Sequence, residues 1–256
     1  MRFYLIGCKV FYREICYCVA QSPHTVDIHF LPQGLHNYGR KGMQEAIGRV
    51  LEEVDEQQFD AILLGYGLCN NGVTELKATK IPLVIPRAHD CITLFLGSKE
   101  KYLDHFHNNT GTYYLSSGWL ERTDDKHEIK KLGLQTKDPM GGSYEELVEK
   151  YGEKNATMIC ETLGSTTHYR QISYIEMGIE PDDQFENLAR ADAEKHNWKF
   201  QKLPGDLRLF QELVGGDWNT KDFLVVPPGQ KIVAAFDSGQ IIAAEPDIMD
   251  DDSTRG

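Results

Sequence analysis

The chain has 256 residues, a formal net charge of −12, and 41% hydrophobic against 26% charged residues. That is the composition of a globular chain with ample core for one large or two small domains. The acidic balance excludes the basic face a nucleic-acid binder needs. No apolar run approaches the length of a membrane helix. The first residues, MRFYLIGCKVFYRE, lack a signal peptide's long apolar stretch and small-residue cleavage site, so the expected compartment is the cytoplasm.

In chain order, Phe3–Gly7 reads as a short apolar strand stopped by glycine, with Cys8 at its carboxyl end. The following VFYREICYCVAQS has Val10, Ile15, Cys18 and Val19 at helical spacing, which puts Cys16 and Cys18 on a helix. Val26–Leu31 alternates as a second strand, and Pro32–Gly42 reads as a loop. Met43, Ala46, Ile47, Val50, Leu51 and Val54 mark an amphipathic helix. Phe59–Gly65 and Pro82–Pro86 continue the strand–helix–strand alternation that builds a parallel sheet with helices on both faces. Ile92–Leu96 and Lys99–His107 predict helix, and Gly111–Ser116 predicts strand ended by Ser117-Gly118-Trp119.

From Glu121 to Gly142 the composition turns polar and glycine-rich. Ser143-x-x-Glu146 is a capping box for a further helix. Strands are expected at Ile172–Ile175, Phe200–Leu203 and Phe223–Val226, and helices around Phe185–Ala193 and Leu209–Leu213. A hairpin about Ser238-Gly239 follows. The expected fold class is α/β: a Rossmann-like parallel-sheet lobe over residues 1–120, a linker or lid over 121–142, a smaller α/β lobe over 143–245 and an acidic tail over 246–256.

Six cysteines occur, at positions 8, 16, 18, 69, 91 and 160, with no CxxC pair among them. A chain of this size does not need disulfides, so free thiols, metal ligands and core residues are the competing readings. In a doubly wound sheet, ligands sit beyond the carboxyl ends of the strands. Cys8, Cys69 and Cys91 each follow such an end. Three thiolates from separate loops suit a soft metal or an iron–sulfur cluster. His89 completes four ligands, and Asp90 or Glu14 would fix its tautomer. Cysteine is also among the most buried residue types, so plain packing competes with this reading. Cys16, Cys18 and Cys160 are assigned to packing.

Gly65-Tyr66-Gly67-Leu68-Cys69-Asn70-Asn71-Gly72 also reads as an anion cradle, with Arg87 as a fork-shaped cation. It is neither a dinucleotide fingerprint nor a P-loop, and a tight turn explains its glycines equally well. A third reading makes Cys91 or Cys69 a nucleophile activated by His89, acting on a small anionic substrate.

The blocks IGCKVFYRE, GYGLCNNG, PRAHDCITLFLGS, GTYYLSSGW and GDW, in that order, resemble the bacterial and archaeal family catalogued as domain of unknown function sixteen thirty-eight. The matching positions are Cys8, Glu14, Tyr66, Cys69, Arg87, His89, Asp90 and Cys91. The resemblance implies a cytoplasmic protein of anaerobes, encoded near corrinoid-dependent methyltransferases and tied to one-carbon metabolism. On the combined reading, Cys8, Cys69, Cys91 and His89 hold a metal ion or iron–sulfur cluster. Arg87, Tyr66, Gly67, Asn70, Asp90 and Glu14 bind the substrate. The expected partners are a small molecule or a corrinoid methyltransferase system, with no nucleic acid and no membrane; self-association into a homo-oligomer and a non-catalytic carrier role stay open.

Overall fold

The computed structural model describes residues 1–122, 169–235 and 240–247, with the backbone alone for residues 36 and 37. The expected linker beyond 122, the helix after Ser143, Cys160, the Ser238-Gly239 turn and the end of the acidic tail lie outside the described residues.

A five-stranded sheet has the order β2-β1-β3-β4-β8. It is built from β1 (Arg2–Cys8), β2 (Thr25–Leu31), β3 (Ala61–Gly65), β4 (Leu83–Pro86) and, from far along the chain, β8 (Phe223–Val226). The first four are parallel, and β8 adds antiparallel to β4. Period-two alternation divides the side chains between two faces. Phe3, Leu5, Ala61, Leu63 and Val84 enter one core, and Ile6, Ile62, Leu64, Leu83 and Ile85 the other. Both faces are covered, so β3 and β4 read as continuous apolar runs.

The first connection carries α1 (Tyr12–Gln21), whose Ile15 joins the first core; the second carries α2 (Gly39–Glu53), whose Met43, Ile47 and Val50 join the opposite one. Winding outward from β1 to β2 and then back across to β3 puts the two helices on opposite faces. The chain therefore reverses direction between β1 and β3, and the crevice at their carboxyl ends is the switch point of the sheet. Helix α2 begins inside the stretch expected as loop, because Leu35–Tyr38 forms a 3-10 turn that leads directly into it.

After β4 come α3 (Cys91–Leu96), ended by Gly97 in the left-handed region, and α4 (Lys99–Asn108), capped by Ser98. A second, parallel sheet has the order β5-β6-β7, formed by Thr112–Ser116, Gln171–Glu176 and Lys199–Pro204. Helix α5 (Ser117–Arg122) continues from β5, and α6 (Gln184–Lys195) packs Phe185, Ala189 and Ala193 on this sheet.

The lobe boundaries expected from sequence are crossed in both directions. Strand β5 belongs to the second sheet. Helix α7 (Arg208–Gly215), β8 and the antiparallel hairpin of β9 (Gln230–Ala234) and β10 (Ile242–Pro246) return to the first. Because of β8 the first sheet is mixed, not purely parallel. Ile175 and Met177, at the end of β6, share a core with Phe3, Phe11 and Phe210. The two sheets thus join through continuous apolar packing.

Candidate functional site

At the carboxyl end of the first sheet is a cleft with about 400 Å³ of atom-free space, its open mouth included. Cys8 from the end of β1, Tyr66 and Cys69 from the loop after β3, and Cys91 from the start of α3 all face it. Gln33, Gly34 and Leu35, following β2, and Met43 of α2 close one side; Val10, Phe11 and Trp119 close the other. Among the described residues the wall is apolar apart from the thiols, the Tyr66 hydroxyl and the Gln33 amide, and none of its side chains is charged.

Two loops fix the thiols. The loop after β3 runs beside the loop after β4, with the amides of Leu68 and Cys69 donating to the carbonyls of Ala88 (2.8 Å) and His89 (3.0 Å). A Cβ at Gly67 would stand 2.9 Å from the backbone of Asp90, so only glycine permits this approach. The chain then makes a left-handed turn, with φ of 44° at Cys69, 56° at Asn70 and 63° at Asn71. Asparagine tolerates that region; for cysteine it costs about 1–2 kcal/mol. Gly72 closes the turn against the Met43 thioether, which a Cβ there would displace. The glycines serve this close packing of chain on chain.

Asp90 caps α3, its Oδ1 accepting from the Thr93 amide at 3.1 Å, and also hydrogen-bonds Tyr102. That cap sets Cys91 in the first turn, facing the cleft. His89 precedes the cap and its side chain is exposed, away from the cleft wall. Arg87 is turned to the second half of the chain. Its Nε donates to the carbonyls of Thr220 (3.0 Å) and Phe223 (3.1 Å), and its Nη1 to those of Gln240 and Ile242. Arg87 therefore ties β4 to β8 and β10 and places no charge in the cleft. Asn70 is exposed on the turn, and Glu14 is fully buried on α1, off the cleft wall.

The electrostatics are those of a neutral, desolvated wall. Burial raises the Cys8 thiol to about 11 against the opposing hydrogen bond from the Val10 backbone. Burial, then the Asp90 carboxylate and Cys8, raise Cys69 to about 12. Burial first, then Asp90 and the other two thiols, push Cys91 well above its ordinary range. Burial, followed by Cys8 and Cys69, does the same to the Tyr66 phenol. Burial therefore favours the protonated form of all three thiols, and Cys69 and Cys91 each sense Cys8. Among the described residues, no three His, Cys, Asp or Glu side chains lie close enough as they stand to hold a metal ion. The five described cysteines are free.

Gln33, Met43 and Trp119 were absent from the sequence-derived site. Gln33 follows β2, so the strand-end rule that selected Cys8, Cys69 and Cys91 applies to it equally. Met43 and Trp119 offered no such signal, because a helical methionine and a tryptophan read as ordinary core.

Strand order and cleft together define an α/β protein with doubly wound parallel strands and a thiol-lined opening at their switch point. Residues 30–214 match the family described as protein of unknown function (DUF1638), and the chain belongs to that family. Cys69 and Cys91 fall within the matched span; Cys8 precedes it. No curated protein and no solved structure matches the chain. Among the described residues no helix is long and apolar enough to cross a membrane.

Proposed function

We propose that the cleft binds a soft metal ion or an iron–sulfur cluster through Cys8, Cys69 and Cys91. The observation that carries this reading is that three thiols from three separate strand ends line a single cavity. The cavity sits where ligands bind in a Rossmann-like, doubly wound sheet. Sulfur ligands select soft cations. The sulfurs do not yet converge, but a cysteine sulfur swings by about 3 Å between staggered rotamers. Cys8, Cys69 and Cys91 would hold the ion once turned inward from the wall, and the cation would take the place of their thiol protons.

His89 does not enter this ligand set, since its side chain faces solvent. An anionic substrate is disfavoured because the described residues of the wall include no cation and Asp90 stands behind two of the thiols. Nucleophilic cysteine chemistry needs a lowered thiol pKa, whereas burial raises all three here. The link to corrinoid-dependent methyl transfer in anaerobic one-carbon metabolism rests on the family resemblance and belongs to the same proposal, as does a cytoplasmic location. A carrier version of the protein delivers the metal or cluster and turns nothing over.

The test is metal analysis and absorption spectroscopy of anaerobically purified protein, with Cys8, Cys69, Cys91 and Cys16 each replaced by serine. Bound metal or cluster with sulfur-to-metal charge-transfer bands is expected in the unmodified protein. Affinity should fall about 100-fold or more in the first three variants and stay unchanged in Cys16→Ser. A metal-free protein that takes up no metal, or a Cys16→Ser defect equal to the other three, overturns the reading.

A further inference from the structure

We propose that two copies of this chain join edge to edge through β2, antiparallel about a two-fold axis at Ile28, so that Asp27 of each copy faces His29 of the other. The inference is independent of the metal reading and names the partner of a surface the cleft does not use. Strand β2 is the last strand of the first sheet, and among the described residues no other strand pairs with its outer edge. Such an edge presents a row of unpaired amides and carbonyls, a template for a further strand.

The strand is not built like an edge that stays unpaired. Those are short, bulged, or carry lysine or proline. Strand β7, at the edge of the second sheet, has Lys199, Lys202 and Pro204. Strand β2 has none of these devices, and it runs for seven residues in unbroken register with β1, from Thr25 opposite Arg2 to Leu31 opposite Cys8. Val26–Leu31 is partly exposed throughout, whereas β3 and β4 are buried throughout. Val26, Ile28 and Phe30 share one face, and the Tyr12 ring, 39% exposed, extends that apolar face at 4.9 Å from the Phe30 ring.

Charge complementarity selects both the occupant and the register. Asp27 and His29 lie two apart on the other face of the strand. A second β2, antiparallel with Ile28 opposite Ile28, sets each Asp27 opposite His29 of the other copy and each Val26 opposite Phe30. Directly opposite residues have Cβ atoms about 4.5–5.5 Å apart, within reach of a hydrogen bond or ion pair. Centring the axis on Asp27 or on His29 would instead set like against like. Both side chains have an atom to spare among the described residues. Arg2 takes Asp27 Oδ2 at 2.7 Å and leaves Oδ1, while the Tyr4 hydroxyl engages His29 Nδ1 at 3.3 Å and leaves Nε2. With Nδ1 accepting from Tyr4, the neutral ring carries its proton on Nε2 and donates it to the facing carboxylate.

The experiment is sedimentation equilibrium of the full chain at pH 7 over the micromolar range. The unmodified protein is expected to form a dimer. Asp27→His and His29→Asp each set like side chains across the axis, and each variant alone should dimerise roughly tenfold more weakly. Mixed one to one they restore both pairs, because one variant has histidine at both positions and the other the acid, so a heterodimer should regain the lost affinity. Damage to the fold of either variant would not be repaired by mixing. Should one of them fail to fold, Ile28→Cys decides: on the axis its thiol meets that of the second copy, and oxidised glutathione should link the two chains. Thr25→Cys, which faces Leu31 of the other copy, should give no such link. A monomer throughout, a dimer that both variants leave intact, or a mixture as weak as its components overturns the inference and leaves the metal reading standing.

Discussion

At the carboxyl rim of the first sheet the Tyr66 hydroxyl and the Gln33 Oε1 face an opening with no partner among the described residues, while at the rim of the second the polar groups pair with one another. Past β6, the Glu180 carboxylate accepts from the amides of Met177 (2.9 Å) and Ile179 (3.0 Å) and from the Ser117 hydroxyl (3.4 Å). Beside it Lys202 pairs with Glu176 at 2.6 Å and with Glu186 at 2.8 Å. These charges are hydrogen-bonded or paired within the chain. Around Cys8, Cys69 and Cys91 the described residues of the cleft wall form no ion pair of this kind. The two rims thus differ in whether their polar groups are paired among the described residues, and this is why the first is the one proposed to take a ligand.

The largest expected effect would break that comparison outright if it failed. Because burial raises Cys8 to about 11, Cys69 to about 12 and Cys91 well above its ordinary range, each thiol would have to give up its proton for the proposed metal to bind. Affinity therefore rises with pH, by up to about 1000-fold, or about 4 kcal/mol, per pH unit if three protons leave. Zn(II) competition against a chromophoric chelator between pH 6 and 8 measures the slope. A flat profile would mean that the thiols are not ligands.

Next in size is Glu14, which lies on α1 and senses Glu180 of the second rim. Its carboxyl is fully buried with both oxygens unpartnered, and burial, reinforced by Glu180 and Glu121, raises it from 4.5 to about 8. Below 4.5 the carboxyl is protonated in the folded and unfolded chain alike. As the pH climbs from 4.5 towards 8, only the unfolded chain loses the proton, so stability falls by about 1.36 kcal/mol per pH unit. By pH 7 the loss is about 3 kcal/mol. Glu14→Gln should remove this decline and raise stability at pH 7 by about that amount, as urea unfolding between pH 5 and 8 will show. An unchanged pH profile would place the ionisation elsewhere.

The smallest effect sharpens the geometry of the first rim. Gly67→Ala sets a methyl 2.9 Å from the backbone of Asp90, where no flexible side chain can yield. A cost of about 1–3 kcal/mol is expected. Because the two thiol loops are joined at this point, metal affinity should fall along with stability. Chemical denaturation and the chelator competition separate the two losses. Stability lost with metal affinity intact would show that the loops need not be zipped for the site to form.

Much of the element pattern was legible. The strands ending at Cys8, Gly65 and Pro86, the helix through Met43–Val50 and the paired helices after Asp90 appear within a few residues of expectation. Placing Cys8, Cys69 and Cys91 together followed from strand ends alone. What misled was adjacency. Arg87 and His89 flank the cleft in sequence, but Arg87 meets carbonyls from beyond residue 219, and the Asp90 cap leaves His89 outside.

The sequence by itself determined the local periods, the strand-end positions of the three thiols and the acidic balance of the chain. Only tertiary structure decided that β5 leaves the first sheet, that β8 returns to it antiparallel, and that Gln33 and Met43 close the cleft. Period and composition specify which face of an element is buried, because that depends on neighbours within a turn or two. They do not specify which distant edge completes a sheet, because any apolar strand of the right length satisfies the same backbone hydrogen bonds, and the choice falls to the packing of the whole core.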